Sequence, residues 1–302
     1  MANDFRNRVA LITGAGRGLG RDYALFLASR GASVVVNDLG VAGDGTGSSS
    51  LPADDVVTEI MSKGGKAVAN YDSVSTTEGA ENMVKVALDN FGTIDIVINN
   101  AGILRDKTFY KMTLEDFEVV IKVHLLGTFY VTKAAFPIMR EKSYGRIVMI
   151  TSTSALYGNF GQSNYDAAKM GVIGLMLALK EEGEKYNIKV NTVAPLAASR
   201  LGQGVFPEEF VANMKVELVT PLVAYFCSEH CQVSGDIVNA GLGFFAKSQM
   251  MQGLGHRFDP SQEITIEMIE ENYPAIVNMQ GGRTLKNATE AFLLVLEPFL
   301  KK

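Results

Sequence analysis

Short runs of β-branched and aliphatic residues recur at residues 9–13, 33–37, 67–70, 94–99, 146–151 and 189–193. Helix-length stretches lie between them, at 19–30, 53–63, 78–90, 114–140 and 164–186. A strand with one wet face alternates apolar and polar residues. These runs are apolar almost throughout, so both of their faces must be covered. Parallel strands joined by crossover helices meet that demand, and strict strand–helix alternation implies them. Gly64-Gly65 marks the stop of the second helix.

The rhythm weakens after Pro195. A last strand is expected at 237–240, followed by helices at 265–273 and 287–300. The expected organisation is an α/β domain over 1–240 and a C-terminal extension over 241–302. With 47% hydrophobic and 20% charged residues, the chain has ample material for a core. A net charge of −5 makes it a poor general binder of nucleic acid. Its 2 cysteines cannot build a disulfide framework, which favours a reducing compartment. No apolar run approaches the ~18 residues of a membrane span. The N-terminus has no apolar leader core, and Leu300-Lys301-Lys302 is not a peroxisomal address.

The segment Thr13-Gly14-Ala15-Gly16-Arg17-Gly18-Leu19-Gly20 joins the first strand to the first helix. Glycines there permit a tight turn and close approach of backbone to a pyrophosphate, and the helix N-terminus supplies free N–H groups. Asp38 ends the second strand, where a carboxylate can accept both ribose hydroxyls of NAD and repel a 2′-phosphate. Asn99-Asn100-Ala101-Gly102 follows the fourth strand, at the edge where parallel sheets bind ligands. Tyr165 and Lys169 stand at i and i+4, one helical turn apart. A lysine cation and a nicotinamide cation would favour the phenolate and make a general base of Tyr165. Ser152, at the end of the fifth strand, could hold the substrate oxygen. Taken alone, Tyr-x-x-x-Lys is mostly structural; its weight comes from the combination.

That combination resembles the short-chain dehydrogenase/reductase family. Longer runs narrow the resemblance to the (3R)-hydroxyacyl-CoA dehydrogenase part of the type 2 peroxisomal multifunctional enzymes. They are residues 37–40, 66–74, 100–106, 124–125, 144–148, 157–162 and 271–273, with the final helix. The resemblance implies a Rossmann-type doubly wound parallel sheet with a C-terminal helical extension. It further implies NAD as cofactor, no metal, an acyl-CoA substrate and a homodimer. Gly14, Arg17, Gly18, Leu19 and Gly20 would line the pyrophosphate, and Asp38 would take the adenosine ribose. Asp72, Ser73 and Val74 would flank the adenine, and Asn100, Ala101 and Gly102 the inner ribose. Tyr165 would be the base, Ser152 the oxygen holder, and Lys169 the partner of the nicotinamide ribose.

Two positions depart from the family pattern. His124 stands where an Asn usually offers its main-chain carbonyl to a proton-relay water. A backbone role survives that change, so His124 is expected to act through its carbonyl. Pro195-Leu196 replaces Pro-Gly and leaves contacts at Ala197 and Ser199 less defined. The implied reaction is oxidation of a (3R)-3-hydroxyacyl-CoA to the 3-ketoacyl-CoA, a step of fatty-acid β-oxidation. Hydroxysteroid or 3-ketoacyl-thioester oxidoreductases share the scaffold, and a catalytically idle NAD-binding module is a further alternative. The implied compartment is the peroxisome if a hydratase domain follows in a longer polypeptide, and the cytoplasm otherwise.

Three features take plainer readings. The Gly- and Ser-rich residues 40–50 lack a P-loop ending and are expected to form a flexible loop. Cys227 and Cys231 look like a buried helix face, not a metal site. Arg105 and Lys107 have the charge to meet a phosphate, but surface cations are common.

Overall fold

The computed structural model describes residues 4–197 and 211–300. They form two compact units, Met1–Lys247 and Ser248–Lys302. The first unit opens with β1 (Val9–Thr13), α1 (Gly18–Ser29), β2 (Ser33–Asn37), α2 (Leu51–Ser62), β3 (Lys66–Asn70), α3 (Thr77–Phe91) and β4 (Ile96–Asn99). Then come α4 (Leu114–Ile121), α5 (Gly127–Glu141), β5 (Gly145–Ile150), α6 (Thr153–Tyr157), α7 (Ser163–Gly183) and β6 (Ile188–Pro195). Beyond the undescribed stretch lie α8 (Thr220–Cys227), β7 (Ile237–Gly241) and β8 (Phe244–Ser248).

The 8-stranded sheet runs β3-β2-β1-β4-β5-β6-β7-β8. Every pairing from β3 across to β7 is parallel. Strand order reverses between β1 and β4. The crevice beyond their C-terminal ends is where such sheets take ligands.

Both faces of the sheet are covered, as the apolar runs demand. Ala10, Ile12, Val34, Val36, Ile96 and Ile98 point to one side, against Tyr23 and Leu27 of α1, Val56 and Ile60 of α2, and Phe226 and Cys227 of α8. The alternate residues Leu11, Val35, Val97, Ile147 and Met149 point to the other side, against Met83 of α3, Val131 and Met139 of α5, and Val172 and Met176 of α7. Each such side chain contributes about 1.5–3 kcal/mol by leaving water, so the alternation fixes strand register on both faces at once.

Three elements differ from the sequence expectation. The stretch expected as one helix over 114–140 is broken at Lys122–Leu126 by a turn of π-helix, centred on His124. Taken whole, Leu114–Glu141 is long and apolar enough to cross a bilayer. Here Val120, Val131, Ala135 and Met139 bury its apolar side in the protein core. The sheet also continues past the boundary expected at residue 240. Leu242 and Gly243, with φ of 53° and 79°, turn the chain straight from β7 into β8. So short a connection can only return antiparallel.

The third difference is the segment expected to be a flexible loop. It is held by bonds from Ala42 N–H to Thr46 O (2.8 Å) and from Ser49 N–H to Leu39 O (3.0 Å). It also reaches the chain that leaves β4, where Leu104 N–H donates to Gly43 O at 2.9 Å.

In the second unit, α9 (Ile266–Ile276) starts at a Thr265 cap, whose hydroxyl accepts the Met268 N–H. Gln252 and Arg283 form an antiparallel bridge. The Arg257 guanidinium donates to the Leu294 and Val295 carbonyls of α10 (Ala288–Leu300), each at 3.0 Å.

Candidate active site

The glycine turn packs too closely for any other residue at one key point. A Cβ on Gly20 would lie 2.3 Å from the Gly14 carbonyl oxygen and 2.5 Å from Asn100 Nδ2. The Asn100 amide is engaged in bracing that turn, donating to the carbonyls of Thr13 and Gly14 at 3.0 Å each. Thr13 Oγ1 returns the link by accepting the N–H groups of Asn100 (3.0 Å) and Ala101 (3.1 Å). Arg17 and Gly18 are exposed beside the α1 N-terminus, and Leu19 packs against the core. Around Gly18 the space is open. The turn is therefore a tightly braced cradle at a helix N-terminus, the form that a pyrophosphate needs.

Asp38 is held by two backbone N–H groups. One carboxylate oxygen accepts the Gly16 N–H at 2.8 Å, and the other accepts the Gly40 N–H at 2.7 Å. Asp72 lies past the end of β3, with Asn70 Nδ2 donating to its carboxylate at 2.6 Å and Asn37 Nδ2 to its carbonyl at 2.9 Å. Ser73 and Val74 follow it, and Val74 packs against Gly127 at the start of α5. The structure thus gathers the glycine turn, Asp38, the Asp72 segment and the Asn100 segment along one edge of the sheet. Those residues fit a dinucleotide laid across the strand ends.

Lys169 is buried, and its Nζ donates to the Ile150 carbonyl at 2.6 Å. Thr151 Oγ1 donates to the Lys169 carbonyl at 3.0 Å, so α7 is pinned to the end of β5 at both points. Burial pulls the Lys169 ammonium down to about 7. Tyr165 is pushed up to about 12, first by burial; its hydrogen bond with Ser152 opposes the shift, and the charges of Asp106 and Asp166 add to it. Lys169 Nζ stands 5.6 Å from the Tyr165 ring centre. Ser152 also shares a hydrogen bond of 2.8 Å with the Ser154 hydroxyl and caps α6 through the Ser154 N–H.

His124 is buried within the π turn, and its carbonyl accepts the Thr128 hydroxyl at 2.7 Å. Ala197 packs against the core beside β6, whereas Ser199 lies outside the described residues. Arg105 and Lys107 are committed to acids. Lys107 meets Asp116 at 2.6 Å, and Arg105 reaches Glu115 at 3.3 Å and Asp116 at 3.7 Å. The Lys107 bond, with bonds from Thr113, holds the Asp116 carboxyl down at about 2. Sequence reasoning missed Asn164, a fully buried side chain next to Tyr165. Only its position before Tyr165 could have marked it. A surface cavity of about 550 Å³ lies elsewhere, between α5 and α7, lined by Phe129, Phe136, Leu175 and Leu179.

A family model described as short chain dehydrogenase matches residues 8–199. The chain belongs to the short-chain dehydrogenase family. This short-chain dehydrogenase is 50% identical over 278 residues to a Mycobacterium tuberculosis protein described as a short-chain type dehydrogenase/reductase, covering 92% of this chain and 96% of that one. It is 48% identical to the Mus musculus peroxisomal multifunctional enzyme type 2, over 97% of this chain but only 40% of that protein. Among solved structures, the full-length peroxisomal multifunctional enzyme type 2 of Drosophila melanogaster matches with a TM-score of 0.84 and 38% identity. That match covers 99% of this chain and 50% of the fly chain. This short-chain dehydrogenase is therefore an oxidoreductase of the NAD(P)-linked type, on a scaffold shared with the dehydrogenase part of those longer enzymes.

Proposed function

We propose that the protein oxidises (3R)-3-hydroxyacyl-CoA thioesters to 3-ketoacyl-CoA with NAD. The observation that carries the chemistry is the meeting of Ser152, Tyr165 and Lys169 at the C-terminal edge of β5. Ser152 holds the substrate hydroxyl, and Tyr165 accepts its proton. When bound, NAD supplies the acceptor for the hydride that leaves the same carbon. Lys169 bonds the nicotinamide ribose, and its charge beside Tyr165 favours the phenolate against the cost of burial. Gly14, Arg17, Gly18, Leu19 and Gly20 cradle the pyrophosphate, Asp72, Ser73 and Val74 border the adenine, and Asn100, Ala101 and Gly102 border the inner ribose. Ala197 and Ser199 belong to the same reading on the nicotinamide side.

NAD over NADP follows from Asp38. Both of its oxygens are anchored to backbone N–H groups, so the carboxylate cannot swing away from a 2′-phosphate. The acyl-CoA substrate is supported by the likeness to the mouse multifunctional enzyme. In that reading a hydratase domain partners the dehydrogenase in a longer polypeptide, and the compartment follows the peroxisomal relatives.

A homodimer completes the reading. The second unit exposes Phe292, Val295 and Phe299 along α10, and an apolar helix face needs cover. The test of substrate class is NADH formation with hydroxyacyl-CoA of several chain lengths beside a hydroxysteroid. Thioester turnover supports the reading; faster turnover of the steroid overturns it.

A further inference from the structure

The segment between β2 and α2 is bound to two separate parts of the sheet edge, and the proposed chemistry leaves it unused. It leaves β2 at Asp38 and returns to α2 beside the glycine turn, where a Cβ on Gly16 would lie 2.6 Å from Pro52 Cβ. Its two roots are drawn together. Ser49 N–H donates to the Leu39 carbonyl at 3.0 Å, and Gly40 N–H donates to the Asp38 carboxylate at 2.7 Å. Gly40 has a φ of 72°, and a Cβ there would meet the Ser49 carbonyl oxygen at 1.9 Å, so the base closes only on a glycine.

The tip lands on the connector of a different strand. Leu104 N–H donates to Gly43 O at 2.9 Å, and Arg105 Nε donates to Asp44 O at 3.0 Å. The Arg105 guanidinium is itself held by Glu115 and Asp116 of α4. Val41 packs against the small apolar cluster of Ile103, Val120 and Ala168. In the sheet, β1 lies between β2 and β4. A segment rooted after β2 and latched after β4 therefore spans the end of β1, where the glycine turn sits.

Those anchors match the two ends of the dinucleotide in the proposed function. Asp38 takes the adenosine ribose, residues 103–105 directly follow the segment that borders the inner ribose, and the pyrophosphate cradle lies between them. None of residues 41–50 is buried, and segments with few buried contacts are the ones that open readily. We propose that residues 39–49 form a strap that closes over the bound dinucleotide and must unlatch from Leu104 and Arg105 before the cofactor can exchange. This rests on the placement of the cofactor in the proposed function.

A reversible bridge tests the strap. A Cβ on Gly45 would stand 3.9 Å from the Ile103 Cβ, a separation that a disulfide spans. Gly45→Cys combined with Ile103→Cys would lock the strap down when oxidised and free it on reduction, while the native Cys227 and Cys231 are buried elsewhere. The readout is stopped-flow NADH binding followed by nucleotide fluorescence, with the bridge counted by mass. In the oxidised form, the association and dissociation rate constants should both fall about tenfold or more while Kd changes only a few-fold, and both should recover on reduction. Arg105→Ala removes one of the two latch bonds and should speed NADH dissociation several-fold.

Equal rates in the oxidised and reduced forms would overturn the proposal. So would slower dissociation with unchanged association, which would make the strap a contact surface and not a gate. If the bridge does not form at Gly45, whose φ is 89°, Arg105→Ala decides, and dissociation no faster than in the unmodified protein overturns the proposal. A protein that binds NADH yet oxidises no (3R)-hydroxyacyl-CoA fails the substrate reading alone, since the strap is read on NADH without substrate. A protein that binds no NADH fails both.

Discussion

Tyr165 and Lys169 show burial working against the charges that the proposed chemistry needs. The phenol is pushed up to about 12 and the ammonium is pulled down to about 7. Both shifts come first from desolvation; in the proposed function a cofactor cation beside Tyr165 would favour the phenolate. Tyr165→Phe removes only the proton acceptor. Turnover should fall by ~100- to 10,000-fold while NAD affinity stays within a few-fold. Near-normal turnover in that variant would mean a different base. Asp38→Ala should relax the preference for NAD, read as the ratio of kcat/KM for NAD and NADP. Equal efficiency with both cofactors before mutation would contradict the role of Asp38.

Lys169 also carries a stability signature. Its folded value of about 7 lies below lysine's ordinary 10.5, so between these limits the unfolded chain holds more protons than the folded one. Stability from this group is therefore present above pH 10.5 and is lost as pH falls through about 7. Denaturant melts of the unmodified protein and of Lys169→Met should diverge with pH across that window. A difference that does not vary with pH would show that burial has not shifted the lysine.

At the scale of elements, the glycine turn and the strand ends depend on each other. Gly20→Ala would drive a Cβ into the Gly14 carbonyl and the Asn100 amide. The expected result is weakened NAD binding together with a lower melting temperature; full retention of both would contradict the packing.

The strands were legible because residues buried on both faces must be apolar, and the sequence expectation falls within a few residues of β1 to β6. The π turn was not legible. It shifts the helix by a single residue at His124 and leaves the apolar pattern on either side intact. β8 was missed because Phe244 and Phe245 are both exposed, so the strand lacks a one-sided pattern. Residues 40–50 read as flexible because their composition suits a loop, whereas their order comes from bonds to Leu104 and within the segment, which composition does not encode. The motif residues were legible as a set. Asn164 was not, because a buried amide's worth depends on which carbonyls the fold brings to it. Arg105 and Lys107 illustrate the converse, since cations that looked available are paired with Glu115 and Asp116.

At the scale of the molecule, fold and cofactor type do not fix a substrate. The chain spans 96% of the mycobacterial relative and 40% of the mouse one, so the same unit stands alone in one protein and within a larger enzyme in the other. The second unit is the part least explained by the sheet. Its α10 carries exposed Phe292, Val295 and Phe299. On the proposed homodimer, the full chain should sediment as a dimer at micromolar concentration and deletion of residues 287–302 should shift it toward monomer. A truncated protein that stays dimeric would assign the helix to local packing.

The central claim is that Ser152, Tyr165 and Lys169 take a proton and direct a hydride from one face of a thioester's 3-hydroxyl carbon. Its most direct test is the initial rate of NADH formation with the (3R)- and (3S)-enantiomers of one hydroxyacyl-CoA at equal concentration. The account predicts turnover of the (3R) form that Tyr165→Phe abolishes, and little or none of the (3S) form. Equal rates with both enantiomers, or a preference for (3S), would contradict it.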